Sequence, residues 1–241
     1  MKAMIFTAGL GTRLRPLTND RPKALIEING VPMLQLLIER IKSFGFNDII
    51  LNVHHFADQV INFLKKKKNF GINISISDET KLLLDTGGGL KKVAWFFNDN
   101  KPFLLYNVDI LTDLNLKLLY NIHCQSDALA TLTVANRDSS RYLLFDKDYC
   151  LCGWKNVETK ETKIIKNKKT DLILLAFSGI HVINPEIFKL IKRKGVFSII
   201  TAYLDLAKNY KIKAFIDNDS LWMDLGKKDN IIEAEKLFMI N

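Results

Sequence analysis

The sequence predicts an α/β protein with a doubly wound, mainly parallel central sheet and a smaller mixed or antiparallel extension. Three observations lead there. Short apolar runs of strand length alternate with amphipathic helical patterns through the first half of the chain, and that alternation buries a parallel sheet under helices on both faces. The first apolar run, residues 3–6, leads straight into Ala8-Gly9-Leu10-Gly11-Thr12-Arg13. Ligands of open α/β sheets bind at such strand ends. From Asn136 onward long helices drop out, and short strand-like runs separated by polar turns take over.

Each element has its own signal. Residues 24–28 are a short apolar segment closed by Asn29-Gly30, a strong turn pair. Leu34, Leu37, Ile38 and Ile41 recur at helical spacing, and Gly45 stops that helix. Residues 48–53 read as a buried strand, 57–66 as an amphipathic helix and 72–77 as the next strand. His54 and His55 follow the first of these; neighbours on a strand face opposite sides, so they suit structural or peripheral roles better than one shared ion. In Asp85-Thr86-Gly87-Gly88-Gly89-Leu90 the glycines are costly in a helix interior and belong to a loop or first turn. Thr86 is then the cap of a helix carried by Leu90, Val93, Ala94 and Phe97.

Residues 102–106 form a buried strand ending in Asn107-Val108-Asp109, followed by a helix at 114–126 and a strand at 130–135. Strand-like runs at 142–145, 151–154 and 172–177 make the extension. Gly179, inside a further run, marks a close approach or a bulge. Asn184-Pro185 and Phe197-Ser198 start helices, the second with Ile199, Ala202, Tyr203 and Leu206 on one face. A strand at 212–216, the string Leu221-Trp222-Met223-Asp224-Leu225-Gly226 and a helix at 228–240 packed by Ile231, Ala234 and Phe238 complete the chain.

The 241 residues, 48% hydrophobic, fit one large domain or two small ones by length, no linker or repeat favours the second, and a core of this size needs no disulfide or metal staple. Cys124, Cys150 and Cys152 are odd in number and no signal peptide precedes them, which suits a reducing, cytoplasmic setting. No apolar stretch is long enough to span a bilayer. The formal charge is +9, and its densest run, Lys65 to Lys68, ends an amphipathic helix where the helix dipole favours cations. With no recognition motif beside that charge, nucleic-acid binding is not expected.

The chemistry concentrates at the first turn. Gly9 and Gly11 let backbone N–H groups approach an anion, and Arg13 and Lys23 add a planar fork and a mobile point charge. A dinucleotide fingerprint is excluded because its third glycine position holds Leu14, and no P-loop string occurs. Asp109 ends a central strand, and Asp224 sits between apolar neighbours, an awkward place for a carboxylate without a partner or cation. Two such acids suit Mg2+, which prefers few carboxylates alongside water and phosphate oxygens.

GLGTRLRPLT followed by RPKAL resembles the signature of the sugar-1-phosphate nucleotidyltransferases, and Trp222-Met223-Asp224-Leu225-Gly226 resembles that family's second metal motif. The resemblance implies a Rossmann-like nucleotidyltransferase fold, with residues 1–135 as the nucleotide-binding half, 136–226 as the sugar-binding half and 227–241 as a C-terminal helix. It implies transfer of a nucleoside monophosphate from a nucleoside triphosphate to a sugar 1-phosphate, with Mg2+ on Asp109 and Asp224. Ala8, Gly9, Gly11, Thr12, Arg13, Lys23, Thr86, Gly87 and Gly88 would bind the nucleotide, and Asn107, Lys155 and Gly179 the sugar phosphate. Arg13, Lys23, Asp109 and Asp224 would carry catalysis. The Asp-Thr-Gly-Gly-Gly string looks most like members that use UTP to activate an amino sugar acid such as N-acetylmuramate; mannose 1-phosphate guanylylation stands second. Two departures stand out: Val108 replaces a usual small residue, and Trp154-Lys155-Asn156 stands where Glu-Lys-Pro is common. Longer members append a hexapeptide-repeat β-helix, and these residues hold no such repeat. A catalytically silent nucleotide sensor and a glycosyltransferase are the other classes; the latter commonly carries Asp-x-Asp, which is not expected at the end of a buried strand here. A homo-oligomer is left open.

Overall fold

The computed structural model describes residues 1–165 and 171–238. β1 (Lys2–Phe6) is followed by the glycine turn and two 3-10 turns, Thr12–Leu14 and Lys23–Leu25. A small hairpin of β2 (Glu27–Ile28) and β3 (Val31–Pro32) leads into α1 (Met33–Ser43), β4 (Asp48–Val53), α2 (Ala57–Lys66) and β5 (Asn73–Asp78). Then come α3 (Asp85–Lys92), β6 (Phe103–Asn107), β7 (Ile110–Thr112), α4 (Leu116–Cys124) and β8 (Ala130–Ala135). β9 (Arg141–Phe145), β10 (Leu151–Asn156), β11 (Thr162–Ile164) and β12 (Ile173–Ile183) form the extension. α5 (Ile187–Leu190), α6 (Ile199–Leu206), β13 (Ile212–Ile216), β14 (Trp222–Asp224) and α7 (Lys228–Phe238) end the described chain.

Backbone contacts divide the chain into two compact units, Met1–Leu83 with Tyr106–Leu116 and Leu221–Asn241, and Leu84–Leu105 with Lys117–Ser220. The expected halves, 1–135 and 136–226, cut across both, because the chain leaves the first unit and returns to it twice. In the first unit β1, β4 and β5 are parallel, with Phe6 opposite Asn52 and Asn52 opposite Ser77. Apart from Lys2 and Asp48 at their starts and Asn52, β1 and β4 are apolar, as strands covered on both faces require. Leu14, Ile26, Ile28, Met33, Met223, Leu225, Ile231 and Ala234 form one apolar cluster. It ties the floor of the glycine turn to β14 and α7.

The second unit is mixed. β12 runs antiparallel to β8 and β9, β9 to β10 and β10 to β11, while β13 lies parallel to β8. The antiparallel extension is therefore as expected, but β12 fuses two expected runs into one long strand. It stays continuous through a register shift between Phe177 and His181, with Gly179 at φ +79°. That is the bulge alternative for Gly179.

Two expectations are corrected. The glycines at 87–89 lie inside α3, and the helix has no side-chain cap; Thr86 instead accepts the Ile199 N–H at 2.9 Å. The helix tolerates glycine because side chains there would collide with the 195–197 segment: a Cβ on Gly87 would lie 2.4 Å from the Phe197 ring, and one on Gly88 2.3 Å from the Gly195 carbonyl. β7 and β14 were not expected as strands at all. They pair antiparallel, Ile110 opposite Asp224, across more than a hundred residues of sequence. The expected end of α7 at residue 240 and part of the turn before 172 lie outside the described residues.

Candidate active site

The site is built on the first unit. β1 delivers the chain to Thr7, whose N–H donates to Asn52 Oδ1 at 2.8 Å and whose hydroxyl donates to the Asn52 carbonyl. The chain then turns at Gly11, φ +64°, a left-handed conformation that glycine adopts without strain. Thr18 braces this point: its hydroxyl donates to the Gly11 carbonyl at 2.9 Å, and a Cβ on Gly11 would lie 2.8 Å from its methyl. Among the described residues, the N–H groups of Gly9, Leu10, Gly11, Thr12 and Arg13 donate to no protein acceptor. A run of unpaired amides in a tight turn is a ready anion receptor.

The charged groups converge beside that turn. Lys23 passes under Gly9, where a Cβ would lie 3.4 Å from Nζ, and donates to Asp109 Oδ2 at 2.7 Å. This pair is largely buried, both side chains being 15% exposed or less. Arg13 Nη1 stands 3.6 Å from Asp224 Oδ2, with its own side chain mostly in solvent. The β7–β14 ribbon brings the two acids together. Asp109 immediately precedes β7, Asp224 ends β14, and Leu225 N–H donates to the Asp109 carbonyl at 2.8 Å. Gly226 N–H holds Asp224 Oδ1 at 2.8 Å. A Cβ on Gly226 would lie 2.6 Å from Arg13 Nη2, 2.8 Å from Asp224 Oδ1 and 3.1 Å from Asp109 Oδ2. Two carboxylates and one guanidinium thus meet around the bare α-carbon of a glycine.

These donors suit a hard divalent cation. Two carboxylates facing one point, with no third His, Cys, Asp or Glu grouped there among the described residues, leave most coordination positions for water and phosphate.

The expected site residues divide between the units. Ala8, Gly9, Gly11, Thr12, Arg13, Lys23, Asn107, Asp109 and Asp224 belong to the first; Thr86, Gly87, Gly88, Lys155 and Gly179 belong to the second. Gly87 and Gly88 are buried, and their N–H groups both donate to the Phe197 carbonyl. The second unit has a cavity of about 560 Å3 whose lining includes Arg141, Trp154, Asn156, Phe177, Ser198 and Thr201. Strand alternation puts Trp154 and Asn156 on that face of β10 and Lys155 on the other. His54 Nδ1 bonds the Glu79 carbonyl at 2.7 Å, and the His55 ring lies against Phe56, so the two imidazoles serve separate neighbours.

Sequence reasoning missed Asn52, Gly226 and two Asp-x-Asp strings, one of which, Asp146-Lys147-Asp148, follows β9 with Asp146 Oδ1 accepting the Asp148 and Cys150 N–H groups. Asn52 was legible as the one amide inside the apolar run of β4. Asp217-Asn218-Asp219 does follow β13, but Asp217 Oδ1 accepts the Ser220 N–H and hydroxyl and closes a turn.

A parallel α/β sheet with an amide-lined turn and facing acids at its strand ends suits a protein that handles a polyphosphate. The family can be stated: a model described as nucleotidyl transferase matches residues 2–239, and the chain belongs to that family. It is 31% identical to mannose-1-phosphate guanyltransferase 2 of Candida glabrata over 99% of this chain and 65% of that protein. It is 29% identical to the mannose-1-phosphate guanyltransferase of Saccharomyces cerevisiae over the same shares. The chain therefore spans just under two thirds of these relatives. Among solved structures it is similar to HddC from Yersinia pseudotuberculosis complexed with GMP-PN, with TM-score 0.76 and 23% identity, over 98% of this chain and 99% of that one. A UDP-glucose pyrophosphorylase complexed with UDP-glucose gives 0.77 and 18%, over 99% and 98%. At these identities the likeness is one of fold. No helix among the described residues is long and apolar enough to cross a membrane.

Proposed function

We propose that the chain transfers a nucleoside monophosphate from a nucleoside triphosphate to a sugar 1-phosphate, releasing pyrophosphate. The observation that carries this reading is the convergence of Lys23, Asp109, Arg13 and Asp224 beside the unpaired amides of residues 9–13. In the reaction a phosphate oxygen of the sugar 1-phosphate attacks the α-phosphorus, and the bond to the β-phosphate oxygen breaks. The nucleophile is already an anion, so no base has to activate it, and catalysis reduces to alignment and charge neutralisation. The turn amides hold the triphosphate oxygens. Lys23, freed from Asp109, neutralises charge on the α-phosphate, and Arg13 reaches from solvent to the departing pyrophosphate. Asp109 and Asp224 would hold Mg2+, which when bound screens the phosphate charges that otherwise repel the incoming anion.

The relatives favour GTP with mannose 1-phosphate over the expected UTP with a muramate-type sugar, since those compared above are guanyltransferases of that sugar by name. The cavity beside Trp154 offers an aromatic face with hydroxyl and amide groups, the lining a sugar ring favours. The test is a matrix of GTP, UTP, CTP and dTTP against mannose, glucose and N-acetylmuramate 1-phosphates, read by pyrophosphate release with and without Mg2+. Turnover requiring Mg2+, strongest for GTP with mannose 1-phosphate, is expected. Asp109→Asn and Asp224→Asn should each cost about 100-fold or more in kcat, the scale of losing a preorganised transition-state contact. Undiminished pyrophosphate release from Asp109→Asn would refute the site.

A further inference from the structure

We propose that Asn52 is the positioning residue of the glycine turn, setting the direction in which the chain leaves β1 so that the following amides face a triphosphate. This rests on the polyphosphate reading of that turn given above. Asn52 is 3% exposed and directly opposite Phe6, the last residue of β1. Its Oδ1 accepts two successive N–H groups, Thr7 at 2.8 Å and Ala8 at 3.4 Å, and its Nδ2 donates to Glu79 Oε1 at 3.0 Å. Glu79 is itself 1% exposed, and its N–H is held by the Val53 carbonyl at 2.8 Å. The amide is therefore clamped from both ends. A carboxylate accepts the Nδ2 hydrogen, which leaves only oxygen to face Thr7 and Ala8.

Two peptide planes are fixed by this one side chain, and the next five N–H groups, from Gly9 to Arg13, are left for an anion. Ala8 is thereby removed from the set of amides that reach phosphate: its N–H points back at Asn52. No buried apolar residue of similar size can do this, because Thr7 and Ala8 would then present unsatisfied donors to the core.

The test uses the intact chain with inorganic tripolyphosphate as probe, measured by calorimetry, and amide exchange of Thr7 and Ala8. In Asn52→Ala those two amides should exchange about tenfold faster or more, and tripolyphosphate affinity should fall about tenfold, the scale of stranding a buried donor. The KM for the nucleoside triphosphate should rise with it, while the KM for sugar 1-phosphate stays within about twofold, a split that general destabilisation would not give. The pair Asn52→Asp with Glu79→Gln keeps all three hydrogen bonds with the charge moved by one partner, and should restore affinity to within about threefold. If Asn52→Ala does not fold, Asn52→Leu against that restored pair reads the same contrast. Looser Thr7 and Ala8 amides with unchanged tripolyphosphate affinity would overturn the positioning role alone. Absence of tripolyphosphate binding by the unaltered protein would overturn the polyphosphate reading and this proposal together.

Discussion

Gly226 shows how a single absent side chain decides a site. Its α-carbon faces Arg13, Asp224 and Asp109 at distances where a Cβ would already be in contact with all three. Gly226→Ala fills the point on which those groups converge. The atoms it meets are side-chain ends rather than backbone, so the fold should lose about 1 kcal/mol, the low end of overpacking costs. Catalysis is less forgiving, since displacing a reacting group by about 1 Å costs on the order of 100-fold. On the proposed reaction the expected result is kcat reduced about 10- to 100-fold at a nearly unchanged melting temperature; kcat within twofold of the unaltered protein would contradict it. Arg13 and Lys23 stood out in the sequence beside the glycine turn, Asp109 as an acid at the end of a buried strand and Asp224 as an acid between apolar neighbours. Gly226 did not, because glycine advertises no chemistry and its role exists only once three distant side chains surround it.

Elements with a strong local period came out of the sequence with their boundaries intact. α2, β4, β8 and β13 fall where apolar spacing puts them. The failures share one cause, namely that a contact distant in sequence overrode a local preference. β7 and β14 are three residues each and are held by each other. α3 keeps its glycines against intrinsic helix propensity because the 195–197 segment packs on them. That conflict gives a test by sign. Propensity alone makes Gly87→Ala stabilising by about 1 kcal/mol. A Cβ 2.4 Å from the Phe197 ring and 2.8 Å from its carbonyl forces the helix and that segment apart, at a cost of about 1–3 kcal/mol. Urea unfolding should show net destabilisation, and a gain in stability would mean the close packing is not what retains glycine.

At the scale of the molecule, the two units differ in how they answer to acid. His123 and His181 both belong to the second unit and are 2% and 1% exposed. Burial pushes the first down to about 4 and the second down to about 3. Each Nδ1 is occupied, by Thr131 Oγ1 at 2.8 Å and Tyr203 Oη at 2.7 Å. Both folded-state values lie below the ordinary histidine value, so the unfolded chain binds the proton first. Stability is therefore full above about pH 6.5 and is lost as pH falls toward 4 and 3. Between pH 7 and 5 each imidazole should remove on the order of 2 kcal/mol. Tryptophan fluorescence, with Trp95 and Trp154 reporting from that unit, should show the urea midpoint dropping over this range. A midpoint constant from pH 7 to 5 would exclude neutral, buried histidines. The α/β class and the antiparallel extension were legible from the alternation of runs. The division into units was not, because compactness depends on which segments return, and a one-dimensional pattern carries no record of that.

The late return of Leu221–Gly226 to the first unit also orders events on the ribosome. A nascent chain folds from its amino end as residues emerge. The glycine turn, Lys23 and Asp109 are made more than a hundred residues before Asp224 and the strand that seats it. Until then β7 has no partner and Lys23 and Asp109 have only each other. A chain released before residue 221 would lack Met223, Leu225, Ile231 and Ala234 as well as Asp224, so the apolar floor of the glycine turn and the second acid go together, and truncation products of this protein should neither bind tripolyphosphate nor release pyrophosphate.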